Sequence, residues 1–350
     1  MEVIVMKTFL FGLCVLAAAA GTLSVNAQAQ SQSCLTWVEC GFNSQWNATC
    51  WPPLPPDVFN CYQITLGWRC QVTTNACPPP TPKEVCPGCL AAAGTAGAPI
   101  NLATGNAYIQ QTDLRIPGLS GGLTLVRTWN SEWPPTQTAF QVGLFGPNWR
   151  STFEERVFVG SDNYIKYARG DGSFWSFGYT SNGTFGLAAP ANVSATLAQG
   201  NTYWTLTFQN GEQRRFDNTS GSLTAIIDRN GNTTQLSYDG LNRLVTVTDP
   251  ASRTLTFTYQ SPSSYLVTGV SSSVGISLTY AYDAQNRLSQ VTNPDLTTLT
   301  FAYDSQSRIT SVTDSNGKVL ESHTYDSSSR GLTSSRALGV EAVTLSYPNP

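Results

Sequence analysis

The stretch that decides the fold is YDAQNRLSQVTNPDLTTLTFAYD, residues 282–304. It opens on Tyr282-Asp283 and ends on Tyr303-Asp304, so it holds one unit of a repeat and the start of the next. Outward from it, Tyr238-Asp239 and Tyr325-Asp326 keep the phase, Tyr259-Gln260 stands between, and Phe216-Asp217 and Tyr347 extend it at either end. The spacings from 216 to 347 are 22, 21, 23, 21, 22 and 22 residues. A fixed period of this length marks a repeat array, in which one unit is a supersecondary element that cannot bury its apolar face alone. An array of this kind is usually a surface or a container, not a single-pocket enzyme.

The interior of the unit is equally regular. Arginine, an aliphatic, two variable residues and a second aliphatic follow the pair: Arg243-Leu244 to Val247, Arg287-Leu288 to Val291 and Arg308-Ile309 to Val312. Leu223 to Ile226 fits without the arginine. Each copy closes on Asp228, Asp249, Asn293 or Asp314, and turn residues such as Asn230-Gly231, Pro250, Pro294-Asp295 and Asn316-Gly317 come next. Asx and Gly supply the positive φ and local hydrogen bonds of tight hairpins. Then Leu255, Phe257 and Tyr259 alternate with Thr254, Thr256 and Thr258, and Leu299, Phe301 and Tyr303 with Thr298, Thr300 and Ala302. Period two with threonine and aromatics predicts half-buried strands. The unit is therefore two short antiparallel strands and two turns, and the region is predicted all-β. A tyrosine at a fixed strand position is expected to stack on the ring of the next unit. The aspartate is expected to accept turn N–H groups, and the arginine to cover the adjacent ring or pair with that aspartate.

This pattern resembles the YD repeat of the Rhs (rearrangement hotspot) family over residues 206–350. The copy at 259–280 is degenerate, with Ser261-Pro262 in place of the turn, and the copy after Tyr325-Asp326 reads as shifted, with Arg330-Gly331-Leu332. Ahead of the repeats, Pro99-Ile100-Asn101-Leu102-Ala103-Thr104-Gly105-Asn106, Arg127-Thr128-Trp129-Asn130-Ser131, Phe145-Gly146-Pro147-Asn148-Trp149 and Gly170-Asp171-Gly172-Ser173 are similar to the domain that opens many Rhs proteins. The resemblance implies a β-sheet that spirals into a shell. It also implies a secreted or cell-surface protein that delivers or encapsulates a toxin or mediates contact between cells. The segment that ends the shell and supports self-cleavage in that family is not found here, nor is a variable toxin region.

The chain has 350 residues, room for two or three domains. Charged residues are 12%, against about 25% in ordinary globular chains. A formal charge of −3 with scattered Lys and Arg gives no basic stripe, so nucleic acid is not an expected partner. Residues 1–27 read as a secretory signal: Lys7, the apolar run Thr8 to Ala20, then the small-residue site Val25-Asn26-Ala27, with Met6 a possible true start. That run is shorter than the ~20 residues a membrane span needs, so no span is expected after cleavage. Lipidation at Cys14 is not expected either.

Eight cysteines follow, all in the module 34–89: Cys34, Cys40, Cys50, Cys61, Cys70, Cys77, Cys86 and Cys89. An even count behind a signal peptide is read as disulfides stapling a module too small for a core of its own. Zinc at Cys86 and Cys89 with Cys70 and Cys77, or a redox-active Cys86-Pro87-Gly88-Cys89, are the alternatives. Trp37, Trp46, Trp51 and Trp68 are read first as filling this mini-core, and second as a platform for a cell-wall or surface glycan. Residues 90–98 read as a linker.

No catalytic, cofactor or metal site is assigned. The one histidine, His323, reads as a strand-surface residue without a nucleophile elbow nearby. Glu154-Glu155 are adjacent, so on a strand they face opposite ways and read as solvated surface. Asp228-Arg229-Asn230-Gly231-Asn232 faintly resembles a calcium loop, but a type I′ hairpin turn explains it better. The sequons at Asn47, Asn182, Asn192, Asn218 and Asn232 matter only in a glycosylating host.

The reading is an all-β, non-enzymatic N-terminal portion of an Rhs-type protein: signal 1–27, cysteine module 34–89, linker 90–98, opening domain 99–205 able to cap the array, and about six repeats over 206–350. The repeats are expected to form an open, curved sheet. Its C-terminal edge would call for further repeats, a second polypeptide or another copy.

Overall fold

The computed structural model describes residues 34–42, 48–50, 58–64, 67–74, 95–97, 99–133, 141–160, 164–181, 183–190 and 193–347. The signal, Cys77, Cys86, Cys89, Trp46 and Trp51 lie outside these residues, as does the side-chain chemistry of the whole cysteine module. In that module, β1 (Cys34–Phe42), β2 (Ala48–Cys50), β3 (Val58–Ile64) and β4 (Gly67–Thr74) form an antiparallel sheet in the order β2-β1-β4-β3. Cys34, Cys40, Cys50, Cys61 and Cys70 lie on these strands.

The rest is two layers. One is small: β5 (Thr95–Ala96) pairs with β6 (Ile100–Asn101), β7 (Tyr108–Ile116) with β8 (Leu123–Asn130), β9 (Val142–Gly143) with β10 (Gly146–Pro147), and β8 also with β11 (Trp149–Ser151). The other is a single antiparallel sheet of 19 strands in sequence order. It opens with β12 (Arg156–Val159), β13 (Ile165–Ala168), β14 (Phe174–Ser181), β15 (Thr184–Ala189), β16 (Ala195–Gln199), β17 (Tyr203–Phe208) and β18 (Gln213–Asp217). It continues as β19 (Leu223–Ile227), β20 (Thr233–Tyr238), β21 (Leu244–Thr248), β22 (Thr254–Tyr259), β23 (Val267–Ser272), β24 (Ser277–Tyr282) and β25 (Leu288–Thr292). The final strands are β26 (Thr298–Tyr303), β27 (Ile309–Asp314), β28 (Val319–Tyr325), β29 (Gly331–Arg336) and β30 (Val343–Thr344). The fold is all-β, with only short 3₁₀ turns as helix among the described residues.

The sheet is continuous through residue 205, because β17 pairs with β18. At its start it rolls closed. Arg156 bridges Ser222, the Val157 N–H donates to Gly221 O at 2.9 Å, and the Leu223 N–H donates to Glu155 O at 3.2 Å. Rings from non-adjacent strands meet inside: Tyr167 on β13 lies 6.4 Å from Phe208 on β17 and 5.8 Å from Phe216 on β18. Strands β12 to β18 thus make a small barrel with an aromatic core. From β19 onward the sheet is open.

Curvature is written into the repeat. A register shift falls at each of Tyr238, Tyr259, Tyr282, Tyr303 and Tyr325, and an extra residue at a bulge bends its strand and increases the local twist. Val247, Leu255, Val270, Leu278, Leu288, Val291 and Phe301 are buried on the inner face, each contributing about 1.5–3 kcal/mol on full burial. The alternation predicted for 254–259 and 298–303 therefore holds, with threonines outward.

The small layer covers that inner face. Its ring contacts run along the array: Phe145 to Tyr280 at 4.8 Å, Trp149 to Phe301 at 5.4 Å and Trp129 to Tyr325 at 6.3 Å. The first part of the 99–205 segment thus lines the repeats instead of capping their front end. The physical reason is area: a one-sided sheet exposes a whole apolar face, and a cap at one edge leaves most of that face wet.

Candidate functional site

The repeat residues are brought together as a ladder. The hydroxyl of each repeat tyrosine donates to a backbone carbonyl of the unit before it: Tyr238 to Leu223, Tyr259 to Leu244, Tyr282 to Val267, Tyr303 to Leu288 and Tyr325 to Ile309, all at 2.6–2.8 Å. The aspartate folds its own turn. Asp283 Oδ1 accepts from the N–H groups of Gln285 and Arg287, while Oδ2 accepts from Arg287 Nε at 2.6 Å. Asp239 with Arg243, Asp304 with Arg308, and Asp326 with Arg330 repeat this at 2.7 Å. The same guanidinium lies over the next tyrosine, with Arg243 to Tyr259 at 4.6 Å, Arg287 to Tyr303 at 4.7 Å and Arg308 to Tyr325 at 4.9 Å. The arginine thus does both things expected of it. No stacked pair of successive repeat rings occurs among the described residues; equivalent tyrosines stand two strands apart in the sheet, roughly 10 Å at ~4.8 Å per strand, and the arginine lies over the next ring.

These bonds set the electrostatics. Hydrogen bonding from Arg243 holds the Asp239 carboxyl below its ordinary value. At Asp283, Asp304 and Asp326 burial pulls upward, and the hydrogen bonds from the following arginine outweigh it. Burial pushes the repeat tyrosines well above their ordinary range, so they remain hydroxyl donors.

Four sequence readings are corrected. His323 is buried, 2% exposed, and neither ring nitrogen has a hydrogen-bond partner; it takes the inward position where Phe301 sits one unit earlier. Glu154 and Glu155 do face apart, but neither is a freely solvated surface charge: both are half-buried and bonded. Glu154 accepts from Ser151 Oγ and the Leu144 N–H, both at 2.7 Å, and burial raises its pKa against the pull of Arg150. Glu155 accepts from Tyr167 Oη at 2.7 Å and pairs with Arg214 at 3.3 Å. The turn at 228–232 has positive φ only at Gly231, with Gly231 N–H donating to Asp228 O and Asp228 N–H to Asn232 O. That is a three-residue loop ending in a left-handed residue, not the type I′ turn, whose two central residues both need positive φ. Finally, the last copy is not shifted. Arg330 lies 4.2 Å over Tyr347, whose hydroxyl donates to Gly331 O at 2.8 Å. Gly331 stands where other units have Leu or Ile, and Ile100 of the lining layer fills the space; a Cβ there would meet Ile100 Cδ1 at 2.7 Å.

The lining layer holds residues that the sequence offered as motifs without roles. Three of its stretches and the β13–β14 turn of the large sheet converge on Asn130: Asn106 Nδ2 donates to Asn130 Oδ1, Asn130 Nδ2 donates to Asp171 O, and Asn148 Nδ2 donates to Asn130 O. Gly172 is needed there, since a Cβ would lie 2.5 Å from Asn130 Nδ2. Beside this knot, Arg127 is fully buried and forms a fork with Asp113, NH2 to Oδ1 at 2.7 Å. Its guanidinium lies 4.7 Å from the Trp149 ring, 5.4 Å from Tyr280 and 5.5 Å from Phe145. Tyr280 Oη donates to Asp113 Oδ2 at 2.7 Å, tying the layer to β24. Burial alone would lower the Arg127 pKa, and Asp113 outweighs it. Among the described residues no cluster of three or more metal-ligating side chains occurs, and no helix is long and apolar enough to cross a membrane.

Comparison with known proteins matches residues 97–177 to a domain of unknown function (DUF6531). Residues 218–260 and 266–298 match the RHS Repeat. The gap between the two repeat matches is the degenerate loop at 261–265. Over 145 residues the chain is 29% identical to the tRNA3(Ser)-specific nuclease WapA of Bacillus spizizenii and 28% identical to the tRNA nuclease WapA of Bacillus subtilis strain 168; the match covers 41% of this chain and 6% of each relative. The chain thus spans a small fraction of the curated relatives it matches. Among solved structures it is similar to a chain of the TcdB2–TccC3–Cdc42 complex, at TM-score 0.30 and 14% identity over 68% of this chain and 14% of that one. With a DUF6531 domain, repeats of the RHS type and a tyrosine–aspartate–arginine ladder in register, the chain belongs to the Rhs/YD-repeat proteins.

Proposed function

We propose that this chain is the non-enzymatic front portion of an exported Rhs-type scaffold, acting in toxin delivery or cell contact through the walls it builds. The observation that carries this reading is the ladder: each repeat tyrosine, aspartate and arginine is already engaged in joining one unit to the next. The candidate acid–base groups are likewise committed to packing. His323 is buried, and Glu154 and Glu155, both half-buried, are held by hydrogen bonds and ion pairs. The nuclease activity named for the WapA relatives is not carried over, since the match spans 6% of those proteins.

In this reading residues 1–27 direct export with cleavage after Ala27, and the cysteines of 34–89 are oxidised into disulfides. The mature chain is secreted or held at the cell surface. Among the described residues β30 pairs only with β29, and its other side receives further repeats, a second polypeptide or another copy of this chain. Two measurements on the purified chain test the proposal. Incubation with total transfer RNA leaves it intact, and cleavage above a buffer control would defeat the non-enzymatic reading. Light scattering over a wide concentration range shows association; a monodisperse monomer with β29 and β30 amides protected in hydrogen exchange would defeat the edge.

A further inference from the structure

A cleft of about 450 Å³ opens where the lining layer, the start of the barrel and the first open repeats meet. That volume lies in the range of ~300–1,000 Å³ typical of small-ligand sites, which favour such junctions. Phe153 and Leu244 are buried in its floor, while Val142, Leu241 and Tyr265 stand at its rim, 48–61% exposed. Exposed apolar side chains scattered singly are ordinary; three gathered round one cleft mark an interaction site.

The rim is also where the array departs from its own pattern. Elsewhere the turn after the repeat tyrosine closes from the aspartate to the arginine, as Asp239 to Arg243 and Asp283 to Arg287. After Tyr259 it closes from Gln260 to Leu266, a longer loop. The extra length brings Tyr265 to the cleft, with its hydroxyl donating to Leu241 O at 3.1 Å. Arg243 Nη1 fixes the loop by donating to Ser261 O at 3.1 Å and Ser264 O at 2.9 Å.

Inside the cleft, Arg150 is 6% exposed. Among the described residues its one polar partner is Glu154, at 3.5 Å, and its guanidinium lies 5.1 Å from the Trp133 ring. Glu154 spends both oxygens elsewhere, on the Leu144 N–H and Ser151 Oγ. Unlike Arg127 Nη1, no Arg150 nitrogen is sealed from solvent without a partner, so its unspent donors are open to the cleft. The two buried arginines differ in one respect. Arg127 has the fork of Asp113, which raises its pKa against burial; at Arg150 burial lowers the pKa and Glu154 offsets only part of it. A buried guanidinium is matched best by a bidentate carboxylate, and this chain supplies one to Arg127 but not to Arg150. The other charged groups of the lining are engaged. Arg156 Nη2 donates to Ser222 Oγ at 3.2 Å, and Glu155 is held by Tyr167 and Arg214.

We propose that this cleft binds the C-terminal carboxylate of a polypeptide that ends in an apolar residue. The carboxylate takes the open donors of Arg150, the terminal side chain lies on Phe153 and Leu244, and the residues before it cross Val142, Leu241 and Tyr265. A chain end carries a carboxylate and an apolar group on one Cα, which is what the floor and rim together call for. An uncharged apolar chain would leave the Arg150 donors unmet, and a bare phosphate would leave the rim wet. The cleft lies at the front of the open array, away from β30, and does not depend on the scaffold reading above.

The test uses the purified full chain. Acetylated tetrapeptides ending in leucine or phenylalanine, each as free acid and as amide, are titrated to millimolar concentrations by calorimetry and saturation-transfer NMR. At least one free acid binds, and its amide binds about tenfold or more weakly. Arg150→Lys keeps the charge but not the fork and raises the Kd about tenfold or more. Leu241→Asp, at an exposed position, sets a like charge at the rim and raises it about fivefold or more. Circular dichroism and melting show that the variants fold; if Arg150→Lys does not, Leu241→Asp decides. Decanoate separates the sources: weaker binding than the free-acid peptide supports a chain end, and equal or tighter binding overturns it in favour of a small amphipathic acid. Absence of binding by both free acids, equal binding of acid and amide, or a Kd that neither variant moves also overturns the proposal.

Discussion

Replacing Asp113 by alanine is the sharpest test of the packing described above. The Arg127 side chain is 0% exposed and that of Asp113 is 3% exposed, so the pair is fully withdrawn from water. Asp113→Ala removes both acceptors of the fork and the acceptor of Tyr280 Oη. Arg127 NH1 already has no partner, so the guanidinium would keep only its three rings. Removing one partner of a buried ion pair costs about 3–5 kcal/mol, because the other charge stays buried and uncompensated. The loss should appear as a lower urea midpoint at unchanged slope, followed by tryptophan emission, since Trp149 packs on that guanidinium. Asp113→Asn keeps the shape but not the charge and should lose most of the same stability. The double change Asp113→Leu with Arg127→Met removes both charges and should be more stable than Asp113→Ala alone. A loss below about 1 kcal/mol for Asp113→Ala, or a double variant no better than the single one, would refute the claim that this pair fastens the lining layer to β24.

Three further outcomes are expected. Tyr303→Phe removes the bond to Leu288 O and should cost about 1 kcal/mol, whereas Tyr303→Ala also removes the ring beneath Arg287 and should cost about 3 kcal/mol or more; equal effects on thermal unfolding would show that the ring does not pack. Asp239, Asp283, Asp304 and Asp326 titrate below the ordinary 3.8 in the folded state. Their contribution is complete above that value and is lost as pH falls through the depressed ones, with Glu154 acting in the opposite sense. Unfolding free energy should therefore drop below about pH 4, and a flat profile down to pH 2 in calorimetry would count against the ladder. Alkylation of the secreted, denatured and unreduced chain should label none of the eight mature cysteines, and its N-terminus should begin at Gln28; thiols freed by a chelator would point to zinc.

How much of this was legible beforehand follows from which interactions are local. The repeat was readable because its bonds close within one or two units. Asp283 to Arg287 spans four residues and Tyr303 to Leu288 fifteen, so a fixed spacing in the chain is a fixed spacing in space. Alternation of Leu299, Phe301 and Tyr303 with threonine likewise set strand and face. Motif stretches such as Arg127-Thr128-Trp129-Asn130-Ser131 and Phe145-Gly146-Pro147-Asn148-Trp149 signalled that something was built there.

What they build was not legible. Asp113 meets Tyr280 across 167 residues, and Trp149 meets Tyr303 across 154, and no pattern along the chain encodes a contact of that length. Burial of Glu154, Glu155 and His323 was misread for the same reason: a polar residue on a strand looks solvated until the layer that covers it is in place. Sequence alone determined the strands, their inner and outer faces and the contacts of each repeat arginine with its aspartate and the next ring, because side-chain alternation and short-range pairing are local; the bond from each tyrosine hydroxyl to the preceding unit's carbonyl was not read, ring stacking having been expected in its place. Only the tertiary structure decided that the front of the sheet closes into a barrel and that a second layer lies against the open part. Both depend on burying apolar area between segments far apart in the chain, a drive that is non-directional and leaves no fixed spacing behind.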